Sequence, residues 1–211
     1  LTLRWSYQLH GFDSCGFQVT NVVLHGLTSL SVAELCSQTL QWPTEWSILA
    51  SIFFAVHPVH TENVMTLVGR ADILAELLSL HAYLIYCTVR PAHRWRCALL
   101  AASLLLIAAG LAKETAFFQF GVLAAWDLFL LQIKSQASFF QRQGGLHRFL
   151  RALPVLVIGA VVCFARLWYT GGGGLPIDRI TQPIVHAKEL STRILSHAVN
   201  HGVYMKLLVC P

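Results

Sequence analysis

Long apolar runs follow one another along this chain and are separated by short polar segments. Each run is close to the length that a helix needs to cross a bilayer, about 20 mostly apolar residues. The runs lack the alternation of apolar and polar residues that is typical of strands, so we predict helices. The predicted spans cover residues 17–37, 44–62, 72–89, 97–112, 116–133, 152–169 and 194–210. The sequence thus predicts an all-α fold, a polytopic membrane helical bundle of about seven spans.

The composition agrees with a membrane protein. Hydrophobic residues make up 55% of the chain and charged residues only 12%, whereas soluble domains carry about 25% charged residues. The net charge is +5, but the basic residues lie between apolar runs and do not gather on one polar face. We therefore expect membrane lipid as a partner and no nucleic acid, and we interpret the basic residues as topology signals.

The loops between the predicted spans differ in charge. Residues 38–43, 90–96 and 134–151 would share one side of the membrane, and these loops contain seven Arg and Lys residues and no acid. The loops of the other side mix basic and acidic residues. Because cytoplasmic loops are enriched in Lys and Arg, the first set is predicted to be cytoplasmic. The polar segment 57–71 is then predicted to face the lumen or the exterior.

The stretch "AVHPVHTENVMTLVGRADILAE" gathers most of the candidate chemistry. Its His57, His60 and Glu62 suggest a polar pocket for an anionic head group or a proton, because His and Glu are common acid–base groups. A capped helix end with interfacial polar residues, or a metal site lacking a third strong ligand, would also fit, and no metal is expected. Arg70 can hold a phosphate bidentately, or it can pair locally with Asp72 or Glu62. Asp72 itself is well placed to cap the third predicted span.

Two further polar pairs interrupt the apolar runs. In "LAKETAFF", Lys113 and Glu114 stand between two long apolar runs, where ionisable groups are costly and are candidate functional residues. A hairpin tip that reaches water is the alternative. Asn21 and His25 lie four residues apart and so share one face of the first predicted span. They are supporting candidates, and a hydrogen bond between helices is their simpler explanation.

Several of these segments together resemble one family. "GFQVTNVVLHGL", "FAVHPVHTENVMTLVGRADILA", "LAKETAFFQFGVLAAWDLF" and "RLWYTGG" occur in this order. They are similar to the transmembrane and tetratricopeptide-repeat (TMTC) family, and "HPVHTE" followed by "GRAD" is the most specific signature. The similarity covers almost the whole chain and is weakest from Leu175 onward.

The resemblance implies a fold and a function. Members have a GT-C-like glycosyltransferase fold in the endoplasmic reticulum membrane, with a luminal active site. They transfer mannose from dolichyl-phosphate mannose to Ser and Thr of luminal proteins such as cadherins. The expected cofactor requirement is none, because the lipid-linked sugar is a substrate. Under this hypothesis Arg70, Lys113, His57 and His60 bind the donor phosphate.

The chain also departs from the family pattern. The acidic pair that is expected to supply the catalytic base would precede Leu1, and the C-terminal repeats have no match. Residues 1–211 are thus predicted to be a partial transmembrane glycosyltransferase domain. Glu62 or Asp72 would act as base only if no upstream acid does. A non-catalytic membrane scaffold, a truncated inactive isoform and, less favoured, a transporter are the alternatives.

Overall fold

A computed structural model describes residues 2–88, 95–126, 145–169, 171 and 189–209. Within these ranges the secondary structure is helical. The α-helices are α1 (Thr2–His10), α2 (Ser14–Glu34), α3 (Thr44–Val56), α4 (Thr61–Met65), α5 (Arg70–Thr88), α6 (Trp95–Ala112), α7 (119–126), α8 (Gly145–Tyr169) and α9 (Leu190–Val209). A π-helical turn (Leu35–Thr39) extends α2, and two 3-10 turns (Pro58–His60 and Glu114–Phe118) precede α4 and α7.

Local sequence signals explain where several helices begin and end. The Asp13 side chain caps α2 by accepting a hydrogen bond from the Cys15 N–H at 3.0 Å. Helix α3 ends at Val56, because Pro58 restricts the residue before it to extended conformations and itself has no N–H to donate. Helix α5 begins after Gly69, whose carbonyl accepts hydrogen bonds from the N–H groups of Asp72 and Ile73.

The chain forms two compact units. The first comprises Leu1–Val56 and His60–Cys163, and the second comprises His57–Val59 and Phe164–Pro211. In the first unit, side chains of α5 to α8 form one apolar core that contains Tyr83, Leu106, Phe120 and Val155. Gly159 allows close packing there, because a Cβ at this position would lie 2.7 Å from the Phe120 Cβ.

The second unit is mostly helical in its described part. It contains the end of α8 and all of α9, and the rings of Phe164 and Trp168 lie 6.4 Å apart. Trp168 is 80% exposed and Ile194 is 62% exposed. Large apolar side chains that point outward are expected where a helix faces lipid.

The helices confirm part of the predicted membrane architecture. Ser14–Thr39, Arg70–Thr88 and Ala152–Tyr169 are long and apolar enough to cross a membrane. They correspond to the first, third and sixth predicted spans. The all-α prediction is confirmed over the described residues, whereas about seven spans are not shown.

The other four predicted spans differ from the prediction in specific ways. The helix within 44–62 has only 13 residues because it stops before Pro58. The fourth is a shorter apolar helix, Arg96–Ala112. The fifth, 116–133, starts in a 3-10 turn, and its residues after 126 lie outside the described residues. The last, within α9, is helical but is not among the helices that meet the length and hydropathy of a span.

Candidate functional site

A short connection leads from His60 into α5 within the first unit. It consists of His60, the short helix α4 and a turn that leads into α5. The Thr66 hydroxyl accepts a hydrogen bond from the Gly69 N–H at 3.1 Å. The turn is thereby closed on itself just before the first residue of α5.

Asn21 fastens this connection to α2. Its Nδ2 donates to the carbonyls of Val64 (3.1 Å) and Thr66 (3.0 Å), and its Oδ1 accepts from the Arg70 Nε at 2.7 Å. The Asn21 side chain is buried, and both of its polar atoms are bonded. The predicted interhelical hydrogen bond is present between Asn21 of α2 and Arg70, the first residue of α5. Asn21 also holds the loop that precedes α5.

Arg70 lies beneath the connection and is only 1% exposed. Besides its bond to Asn21, Nη1 donates to the Ser6 hydroxyl (2.6 Å) and weakly to the Thr2 carbonyl (3.4 Å), and Nη2 donates to the Phe17 carbonyl (2.9 Å). The guanidinium also lies 5.5 Å from the centre of the Phe17 ring. Among the described residues no carboxylate pairs with it. In this arrangement Arg70 joins α1, α2 and α5, and its role as a phosphate ligand stays a prediction.

Gly69 is needed for the close approach of the end of the connection to the backbone of α4. A Cβ at this position would overlap the backbone of Asn63. We expect Gly69→Ala to lower stability by about 1–3 kcal/mol, because the backbone must shift to admit the methyl group. The matched control is Gly26→Ala, since a Cβ there meets no atom within 4 Å. The measurement is the apparent unfolding temperature of the purified chain in detergent, and equal values for the two variants would contradict the prediction.

A pocket of about 410 Å³ lies within the first unit. This volume is in the range of small-molecule sites, about 300–1,000 Å³. Its walls come from α2, α3, the connection, α5 and the segment that begins with the 3-10 turn Glu114–Phe118. The polar side chains of its lining include His25, His60, Asp72, Glu76 and Gln119.

Asp72, which lines this pocket, is paired with Lys113, which does not line the pocket itself. The Lys113 Nζ lies 3.0 Å from the Asp72 Oδ2, and each side chain is about one third exposed (33% and 31%). Asp72 lines the pocket and lies inside the first turn of α5, so it does not cap the helix as the sequence suggests. The "GRAD" and "AKET" motifs, 41 residues apart, therefore meet in space.

Three rings form another wall of the pocket. The Phe54 and His60 ring centres are 4.2 Å apart, and the His25 ring lies 5.1 Å from His60 and 5.6 Å from Phe54. A ring nitrogen of His25, Nε2, is 3.1 Å from the Ala55 carbonyl. Two of the three predicted histidines, His25 from α2 and His60 from the connection, thus meet at the pocket.

Two pocket residues were missed as site residues by the sequence analysis. Glu76 follows Asp72 by four residues and therefore lies on the same face of α5, a signal that was available. Gln119 interrupts the apolar run "FFQF", and its Oε1 and carbonyl accept hydrogen bonds from the Tyr83 hydroxyl. The sequence offered no comparable signal for Gln119, because a single amide in an apolar run does not by itself indicate a site.

The remaining predicted residues lie elsewhere. Glu62 and Glu114 are exposed and do not line the pocket. His57 belongs to the second unit, where its Nδ1 accepts a hydrogen bond from the Val59 N–H at 3.2 Å. In the described ranges no group of three or more His, Cys, Asp or Glu residues is arranged to hold a metal ion.

Comparison with known proteins gives relatives over the whole chain. The chain is 30% identical to human protein O-mannosyl-transferase TMTC2 over 219 residues, which are 100% of this chain and 26% of that protein. It is 29% identical to mouse protein O-mannosyl-transferase TMTC4 over 248 residues, 100% of this chain and 33% of the relative. Human protein O-mannosyl-transferase TMTC1 is 36% identical over 152 residues, 65% of this chain and 17% of the relative.

These matches show how much of the length of its relatives the chain covers. No family model matches the chain, and no solved structure matches it. The chain spans about a quarter to a third of the length of TMTC2 and TMTC4. Over its full length, the chain is a homologue of the TMTC family of protein O-mannosyl-transferases, and it corresponds to a fraction of their length.

Proposed function

We propose that this chain is the membrane part of a GT-C-type protein O-mannosyltransferase of the endoplasmic reticulum. It would transfer mannose from dolichyl-phosphate mannose to Ser or Thr hydroxyls of luminal proteins such as cadherins. The proposal includes about seven spans, with the connection that leads into α5 on the luminal side. Homology to protein O-mannosyl-transferases supports it, and the observation that carries it is the Asp72–Lys113 pair at a pocket of ligand size.

The pair supplies both charges that the reaction needs. In an inverting transfer, a carboxylate takes the proton of the acceptor hydroxyl while the hydroxyl oxygen bonds to C1 of mannose. The bond between C1 and the phosphate oxygen breaks, and dolichyl phosphate leaves with the electron pair. A fixed cation stabilises the leaving group, an effect that is often the largest single contribution to catalysis. We assign the carboxylate to Asp72 and the cation to Lys113. Because the acceptor and the phosphate lie on opposite faces of C1 in such a transfer, the Lys113 side chain would have to turn from Asp72, which it contacts at 3.0 Å, to the phosphate.

The other residues would support this arrangement. His60 lines the pocket and can donate a hydrogen bond to the phosphate, and His25 packs against it. Arg70 and Asn21 hold the connection in place, so they would position His60 and Asp72. No bound cofactor is required, because the lipid-linked sugar carries its own leaving group.

Lys113→Gln tests the phosphate assignment. The change keeps the side chain similar in length but removes the charge, so we expect donor affinity to fall by at least about tenfold, the value of a charged hydrogen bond. The assay incubates the full chain in nanodiscs with labelled dolichyl-phosphate mannose and a cadherin ectodomain. It measures both donor binding and hexose on the acceptor.

Glu45→Gln is the control, since Glu45 is exposed in the first turn of α3 and does not line the pocket. Transfer of hexose by the wild-type chain would support an enzyme. Donor binding with no transfer would instead favour a scaffold and contradict the proposal. Unchanged donor affinity in Lys113→Gln would remove Lys113 from the phosphate site.

A further inference from the structure

We propose that the part of the pocket around Glu76 binds the neutral sugar of the donor, while the Lys113 end binds its phosphate. Glu76 and Gln119 would hydrogen-bond the sugar hydroxyls, and the rings of Phe54 and His25 would pack against the sugar, which leaves His60 to the phosphate. This inference rests on the proposed function, because it divides that same pocket into two subsites.

The Glu76 carboxylate is an acceptor without a partner among the residues that the structure describes. It is half-buried and lines the pocket. In the part of the chain that the structure describes, no hydrogen bond or ion pair engages its carboxylate. A carboxylate offers about four lone-pair positions for donors, and leaving it unsatisfied in a partly dry site is costly. A ligand with several hydroxyl groups would satisfy it.

Gln119 places a donor at the same pocket. Because its Oε1 accepts the Tyr83 hydroxyl, the amide is oriented and its Nε2 group is left to donate. Among the described residues this amino group makes no hydrogen bond. Each sugar hydroxyl both donates and accepts, so neighbouring hydroxyls match a pocket that offers a carboxylate and an amide N–H together.

The ring wall suits the apolar face of a sugar. The centres of Phe54, His25 and His60 lie between 4.2 and 5.6 Å from one another, so the three rings pack together as one cluster that lines the pocket. The face of an aromatic ring carries a partial negative charge. It therefore attracts the C–H groups of a hexose, which carry a small positive charge. Such packing holds a sugar without requiring charge.

Charge separates the two subsites. Asp72 is paired with Lys113 at 3.0 Å, whereas no cation of the described residues pairs with Glu76, so a phosphate would be repelled at Glu76 and attracted at Lys113. The two carboxylates lie one turn apart on α5, about 6 Å along the helix axis. This spacing suits a phosphate and the hexose attached to it.

The test compares two lipids that differ only in the sugar. The full chain in nanodiscs is titrated with labelled dolichyl-phosphate mannose and with dolichyl phosphate. We expect Glu76→Gln to weaken binding of the mannosylated lipid by about tenfold and Phe54→Leu by about two- to tenfold. Binding of dolichyl phosphate should be unchanged by either variant.

Two matched controls accompany these variants. Glu45→Gln and Phe53→Leu make the same changes at exposed positions, Phe53 being 64% exposed, and both should bind the two lipids as the wild type does. Equal weakening of both lipids by Glu76→Gln, or no weakening of the mannosylated one, would overturn the sugar subsite while leaving the proposed function standing. Failure of the wild-type chain to bind either lipid would overturn the proposed function and the subsite with it.

Discussion

Replacing Arg70 with Met is expected to prevent the chain from reaching its folded state. The guanidinium donates to Asn21, Ser6 and Phe17 at 2.6–2.9 Å and is 1% exposed. Met fills much of the same volume but donates no hydrogen bond. Each buried acceptor that loses its donor costs about 1–3 kcal/mol, so the loss is comparable with the whole stability of many domains.

The measurement is the yield of monodisperse protein from membranes and its apparent unfolding temperature. Arg4→Met is the control, because Arg4 is exposed on α1 and its replacement should change stability by less than about 0.5 kcal/mol. Arg70→Lys keeps the charge but cannot reach three acceptors that lie in different directions, so it should also destabilise the chain.

This result separates two roles for Arg70. If Arg70 were a phosphate ligand and nothing else, Arg70→Met would fold with normal stability and lose donor affinity. The hydrogen bonds of Arg70 in the folded chain predict instead that Arg70→Met loses stability first, and that any loss of donor affinity follows from it. A stable, monodisperse Arg70→Met protein would contradict the structural role and favour the role that the sequence suggests.

The sequence located the polar segments but not their partners. Local spacing allowed Arg70 to pair with Asp72, yet residues two apart on a helix point about 200° apart. Arg70 therefore faces α1 and α2, and Asp72 faces Lys113 across 41 residues of sequence. Which helix lies on which side is set by tertiary packing, and single-sequence spacing carries no information about it.

The helices, too, were only partly predicted by the sequence. The apolar runs predicted α2, α5 and the apolar part of α8 well, because long hydrophobic segments are a strong signal. The run 44–62 was predicted too long because hydropathy continued past Pro58, although the proline ends α3 at Val56. Glu76 was within reach of the sequence, since the spacing of four from Asp72 places both on one helical face.

Asp72→Asn is expected to lower mannose transfer by about 10²–10⁴-fold, the usual contribution of a general base. Asn has nearly the same shape and still lines the pocket, but its amide cannot take the proton of the acceptor hydroxyl. The fold should survive, because the lost ion pair is about one third exposed and such pairs contribute about 0–1 kcal/mol. Asp72→Asn should therefore lose transfer activity while it keeps its stability.

The assay measures the transfer rate and donor affinity of the full chain in nanodiscs, with Glu45→Gln as the control carboxylate. Asp72→Asn should lose kcat with little loss of donor affinity, whereas Lys113→Gln should lose affinity. In the double variant the two losses should not add, since both residues act on the same reacting bond. Wild-type transfer by Asp72→Asn would show that another carboxylate takes the proton, because nothing else about the pocket would have changed.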